Sequence, residues 1–133
     1  KKIKDFNKIY IDRSDSQFNH CRIVNDSEIK NYLRKEGFKI VKLSKFSFQK
    51  QISIFKNCNI VIGPHGAGMA NLIFCKRKTK VIEIKYLGHP NNVYKRISKF
   101  NKLNHRLIRL KKIKKEKKGD MFLDVKKLKN YLN

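Results

Sequence analysis

Cys58-Asn59-Ile60-Val61-Ile62-Gly63-Pro64-His65-Gly66-Ala67-Gly68-Met69-Ala70-Asn71-Leu72 is the stretch that decides the fold. A short β-branched apolar run empties into three glycines that open a second apolar segment, which reads as strand, tight turn, helix. Glycine permits positive φ and lets a ligand approach the main chain closely. The first N–H groups of the following helix have no intrahelical acceptor and carry partial positive charge, so a phosphate fits there. The spacing is G-x-x-G-x-G, which is neither the dinucleotide fingerprint G-x-G-x-x-G nor the P-loop. The surroundings of the turn therefore have to supply the specificity.

Outward from the turn, strands and helices alternate. Lys8 to Ile11 reads as a first strand. Asn25-Asp26-Ser27 followed by Ile29, Tyr32, Leu33 and Gly37 reads as a capped amphipathic helix with a glycine stop. Phe38 to Leu43 is the second strand, and Ser47 caps a helix whose Phe48, Ile52 and Phe55 share a face. Asn59 to Ile62 is the third strand, and a short helix runs through Ala70 to Phe74. Val81 to Ile84 and Arg106 to Leu110 are further strands, separated by a helix marked by Val93, Ile97 and Phe100. Val125, Leu128 and Leu132 mark a terminal helix. This pattern predicts an α/β fold, a Rossmann-like parallel sheet with helices on both faces. In such sheets ligands bind beyond the carboxyl ends of the strands, where the strand order reverses. Arg13, the glycine turn and Glu83 all lie at or near such ends.

A chain of 133 residues is one domain, 1–133. It begins at Lys1 rather than Met, so the expectation is a domain excised from a longer two-domain protein. Three widely spaced cysteines without a C-x-x-C pair argue against a disulfide framework or zinc site and fit a reducing, cytoplasmic setting. The least polar stretch, Asn59 to Phe74, is broken by Pro64, His65 and Asn71, which excludes a signal peptide or membrane span there and predicts a soluble domain. The net charge of +24, from 34 basic and 10 acidic residues, attracts polyanions: nucleic acid, anionic lipid or nucleotide phosphates. A compositional bias toward Lys, Asn and Ile on solvated faces accounts for the same charge without a binding role. The lysine-rich loop 111–120 carries six lysines between Lys111 and Lys118; it reads as a solvated loop or as an attachment to an anionic membrane surface.

Taken together, Tyr10-Ile11-Asp12-Arg13-Ser14, Arg22 with Ile23-Val24-Asn25, Glu36-Gly37-Phe38, Phe48 with Gln51 and Phe55, Ile62 to Gly68, Asn71 to Phe74 and Val81 to Ile84 form a series. In order and spacing, over about residues 8 to 110, it resembles the core of glycosyltransferase family 61. The resemblance implies a GT-B type transferase with two Rossmann-like domains, of which this is the C-terminal, nucleotide-sugar-binding one. Arg13 and Arg22 match the family's paired arginines. The family's bacterial members build polysaccharide or capsule, and its eukaryotic ones modify glycoproteins or xylan. The tail after Leu110 has no counterpart in the resemblance.

The chemistry follows from the residues. Transfer from a nucleotide-diphosphate sugar develops negative charge on the departing diphosphate, which needs a metal or preorganised donors and cations. No D-x-D pair is present; Asp12 and Asp15 read as a turn or a brace for Arg13, and Asp26 with Glu28 as helix capping. Metal-independent stabilisation is expected, with no cofactor beyond the donor. Gly66, Ala67 and Gly68 supply N–H donors, and Arg13 and Arg22 are bidentate cations, a surface ion pair being the alternative for each. His65, near a helix start, reads as a neutral imidazole donating to a phosphate or sugar oxygen, or as a turn histidine bonded to the main chain. Asn71 holds the turn or touches the ligand, and the first is favoured. Glu83 in an apolar strand binds ribose hydroxyls or pairs with an arginine, ribose being the expected role. His20, His89 and His105 lack metal-like spacing and read as solvent or turn residues. The general base is expected on the other domain, so no catalytic residue is assigned. A nucleic-acid-binding α/β domain is the alternative function, set second because Phe48, Phe55 and Phe100 lie on apolar helical faces as core residues would. A Rossmann oxidoreductase is third, since Arg13-Ser14-Asp15 stands where its G-x-G-x-x-G belongs.

Overall fold

β-Branched runs are buried on both sides when a parallel strand is covered by helices on both faces, and the central strands of this chain pack in that way. The computed structural model describes residues 6–14, 21–113 and 119–133. In chain order the elements are β1 (Lys8–Ile11), α1 (Asp26–Lys35), β2 (Lys39–Val41), α2 (Phe48–Asn57), β3 (Ile60–Pro64), β4 (Lys80–Tyr86), α3 (Val93–Phe100), β5 (Asn104–Leu110) and α4 (Val125–Leu132). Two 3₁₀ segments, Leu43–Lys45 and Ala67–Phe74, lie between them. The strands form one five-stranded sheet in the order β2-β1-β3-β4-β5, parallel at every pairing. The order reverses between β1 and β3, so the crevice beyond their carboxyl ends is the topological switch point.

The period-2 alternation of each strand sorts its side chains between two cores. Tyr10, Ile62, Ile82, Ile84 and Ile108 face Ile29 and Leu33 of α1 and Leu128 of α4. Ile9, Ile11, Val61 and Val81 face Ile54 and Phe55 of α2, Met69 and Leu72 of the 3₁₀ segment, and Tyr94 of α3. Cys21, Cys58 and Cys75 are buried free thiols within these cores. No helix among the described residues is long and apolar enough to cross a membrane.

Several local expectations are corrected. Of the three phenylalanines expected on core faces, only Phe55 is buried; Phe48 and Phe100 are 64% and 87% exposed. They are the first residue of α2 and the last of α3. The β2 strand ends at Val41, and Leu43 enters a 3₁₀ turn. Ser47 caps α2, its hydroxyl accepting from Lys50 N–H. Asn25 makes no such bond to α1. Its amide instead bonds the Leu123 backbone in both directions, at 2.7 and 3.1 Å. Asp26 does not cap either: it accepts from Tyr10 Oη at 2.7 Å and pairs with Lys30 at 2.8 Å. The tail beyond β5 belongs to the core, with Met121, Leu123 and Leu128 fully buried and Met121 bridged to Ile23. Within the lysine run, residues 114–118 lie outside the described residues, as do Asp15 and His20.

Candidate functional site

The glycine turn leaves β3 while still bonded to the sheet, His65 N–H donating to Ile84 O at 2.8 Å. It then becomes 3₁₀ turns over Ala67–Phe74, covering the short helix expected through Ala70 to Phe74. The carbonyls of Gly68, Leu72 and Ile73 take bonds from the amides of Asn71 and Asn101, a side-chain competition for the groups an α-helix uses. Asn71 also donates to Gln51 Oε1 at 3.2 Å, and Gln51 donates in turn to Leu43 O and Phe46 O. Asn71 thus holds the turn, the favoured of its two expected roles.

The three glycines are used differently from expectation. Positive φ occurs at Gly37, Gly88 and Gly119, not in this turn. A Cβ on Gly63 would press on Ile11 at 3.0 Å, and one on Gly68 on Leu43 at 2.9 Å. These two let the turn settle onto Ile11 of β1 and Leu43 of the 3₁₀ turn after β2. At Gly66 a Cβ would overlap the guanidinium of Arg13. The close approach to this main chain is made by an arginine of the protein itself, whose Nη1 donates to His65 O at 2.6 Å. Arg13, Gly66, Ala67 and Gly68 therefore meet at the switch point as expected from topology.

Arg22 is not brought to them by any bond it makes. It is half exposed and pairs with Asp120 at 2.9 Å, which raises its pKa further above the usual arginine value. That is the ion-pair alternative, made available by a tail segment nearly a hundred residues away in sequence. Asp12 does not brace Arg13; it accepts Ser14 N–H at 2.8 Å and pairs with Lys30 at 3.0 Å. Burial resists ionisation of Asp12, and these two partners outweigh it, lowering its pKa.

Glu83 shows the largest departure. It stands opposite Gly63 on β3 and Leu107 on β5 and is 1% exposed. Its Oε2 lies 2.5 Å from His65 Nδ1, and its Oε1 lies 2.9 Å from His105 Nε2. Both oxygens are engaged in the interior by a pair of imidazoles and not by an arginine, an arrangement that does not favour the ribose role. Burial pushes the carboxyl up, but hydrogen bonds from His105 and His65 overcome it and bring its pKa down to about 2. His105, expected at a surface or turn, is a β5 residue with its side chain turned inward, its Nδ1 2.5 Å from Ser98 Oγ of α3. His89 does lie in the turn after β4, but its ring packs on that of His65 at 4.2 Å, with Tyr94 on His65 at 4.8 Å. An ionised carboxylate only accepts, so His65 carries its proton on Nδ1. With Nδ1 taken by Glu83, Nε2 is the ring nitrogen left for a phosphate or sugar oxygen, where a protonated ring would donate and a neutral one accept.

His105, Ser98, His89 and Tyr94 are the members that sequence reasoning missed. The available signal was Glu83 itself, a carboxylate in an apolar strand that demands partners; choosing them required knowing that β4 lies between β3 and β5.

The family model for Glycosyltransferase 61 matches residues 1–82. The match covers Arg13, Arg22 and the turn through Asn71. It stops one residue short of Glu83, so β5 lies beyond it, within the wider span of the resemblance. A comparison with curated proteins found no match. A parallel α/β sheet, an arginine laid on a glycine turn at its switch point, and a family match over more than half of the residues agree: the chain belongs to glycosyltransferase family 61.

Proposed function

We propose that this chain is the donor-binding part of a GT-B type glycosyltransferase, holding a nucleotide-diphosphate sugar in the crevice between β1 and β3. The observation that carries this reading is the guanidinium of Arg13 set against Gly66 at the switch point. A diphosphate there meets a planar cation and the N–H groups at the start of the Ala67–Phe74 segment. Transfer without a divalent metal is supported by the lack of a D-x-D pair in the sequence and by the engagement of Asp12 with Ser14 and Lys30. The acceptor on this reading is a saccharide or lipid-linked saccharide of polysaccharide or capsule biosynthesis. A further Rossmann-like domain presents it, at the cytoplasmic side of a membrane.

The test is a chemical-shift titration with UDP, GDP and CMP in EDTA at physiological salt, with a DNA duplex as competitor. Shifts confined to residues 62–71 and Arg13 support the reading. No response there at millimolar nucleotide diphosphate overturns it. The nucleic-acid alternative gains one observation, the exposure of Phe48 and Phe100 on a chain of net charge +24. It predicts that the duplex shifts those two helix ends and leaves the turn unchanged.

A further inference from the structure

Between β3, β4, β5 and α3 runs an unbroken line of hydrogen-bonded side chains: Ser98 Oγ, His105, Glu83 and His65. Ser98 is completely buried and Glu83 is 1% exposed, and the His105 side chain is 4% exposed. The ionised carboxylate fixes the direction of the line. Both imidazoles donate to the ionised Glu83, so in their neutral forms His105 accepts the Ser98 hydroxyl at Nδ1 and His65 has its lone pair on Nε2 at the other end.

His65 is held at every point except that nitrogen. Its N–H and C=O are bonded to Ile84 O and Arg13, its Nδ1 to Glu83, and its ring is packed by His89 and Tyr94. Among the described residues no hydrogen bond is made to Nε2, yet no fully buried side-chain nitrogen or oxygen lacks a partner. Nε2 is therefore at the accessible edge of the ring, one residue from the glycine that carries Arg13. A core histidine needs no free nitrogen and no carboxylate with a second histidine bracing it; a proton acceptor needs both a fixed tautomer and an open lone pair.

We propose that His65 is a catalytic residue of glycosyl transfer, its Nε2 being the general base, with Glu83 and His105 as positioning residues. This deepens the donor-site reading and rests on it. In the step, the acceptor O–H proton passes to Nε2 as the acceptor oxygen bonds the anomeric carbon. The bond from that carbon to the diphosphate oxygen breaks, and its electron pair leaves with the diphosphate beside Arg13. The imidazolium that forms faces the buried Glu83 anion, and the proton returns to solvent after product release. The ionisable groups around the ring are Arg13 beyond β1, Glu83 and Lys85 on β4, His89 in the following turn, Tyr94 on α3 and His105 on β5.

The experiment uses the full-length protein, with UDP and GDP for binding and a panel of UDP- and GDP-sugars for nucleotide release. His65→Ala is expected to lower kcat about 10²- to 10⁴-fold while UDP or GDP affinity stays within threefold, and added imidazole restores part of the rate. Glu83→Gln is expected to lower kcat and shift the acidic limb of the pH profile without a matching change in KM. Retention of kcat within threefold in folded His65→Ala, with nucleotide still bound, overturns the base and leaves the donor site standing. Absence of nucleotide diphosphate binding to the unmodified protein overturns the donor site and the base together. Should the variants fail to fold, tautomer-resolved ¹⁵N NMR of the unmodified protein decides: a proton on His65 Nε2 at neutral pH refutes the proposal, and one on Nδ1 alone supports it.

Discussion

At Gly66 a hydrogen stands where any other residue has a Cβ, and that Cβ would overlap the Arg13 guanidinium. Gly66→Ala is therefore expected to act on the arginine, and nucleotide-diphosphate affinity in a titration should fall at least tenfold. Arg13→Lys should fall similarly with little change in melting temperature, because an ammonium lacks the planar fork. An unchanged Kd in both would place Arg13 outside the site. Glu83 makes a separate prediction. Its carboxyl has a pKa of about 2 in the fold against an ordinary value of 4.5. The stabilisation is thus present above pH 4.5 and is lost as pH falls toward 2. The shift corresponds to a contribution on the order of 3 kcal/mol at neutral pH. Urea unfolding of Glu83→Gln should show a loss of about that size at pH 7 and a narrowing gap from the parent at pH 3.

Among the elements, α1 has the least expected role. Asn25 at its head, rather than capping it, clasps the backbone of Leu123 through two hydrogen bonds. The neighbouring Val24 N–H and Arg22 C=O bond Met121. The tail is thereby tied to the start of α1, and Met121, Leu123 and Leu128 enter the core beneath that helix. Leu123 is fully buried, so Asn25→Ala leaves two backbone groups without partners, at a cost of about 1–3 kcal/mol for each. The expected readout is local: hydrogen exchange should accelerate over residues 121–128 before it does in β3 or β4. Equal acceleration throughout would mean that Asn25 supports the whole fold rather than the tail.

For the whole molecule the dominant quantity is charge. Ten acidic residues face 34 basic ones, and several of the ten are engaged internally: Asp12 and Asp26 with Lys30, Asp120 with Arg22, Glu83 with two histidines. If the chain meets an anionic membrane surface, the six lysines of Lys111 to Lys118, each worth up to about 1 kcal/mol there, would give reversible attachment. Cosedimentation with vesicles containing anionic lipid should fall steeply with salt, and neutral vesicles should not bind. Replacing those six lysines by Gln should cost more binding than replacing six lysines elsewhere. Equal losses would leave only compositional charge.

The order of strands and helices, the parallel sheet and the place of the glycine turn were determined by the sequence alone, because β-branched runs, glycine stops and apolar periodicity act over a few residues. The convergence of Arg13 on the turn was legible too, since a chain that winds one way from β1 and then the other leaves its crevice between β1 and β3. Partner identity was not. His65 and His105 lie 18 and 22 residues from Glu83, and Asp120 lies 98 from Arg22. A buried carboxylate announces that it needs donors but not which ones. The glycines likewise announce a close approach without naming Ile11, Leu43 or the Arg13 side chain as the group that makes it. Strand order and the path of the tail chose those partners, and both are set by packing of the whole core rather than by any local stretch.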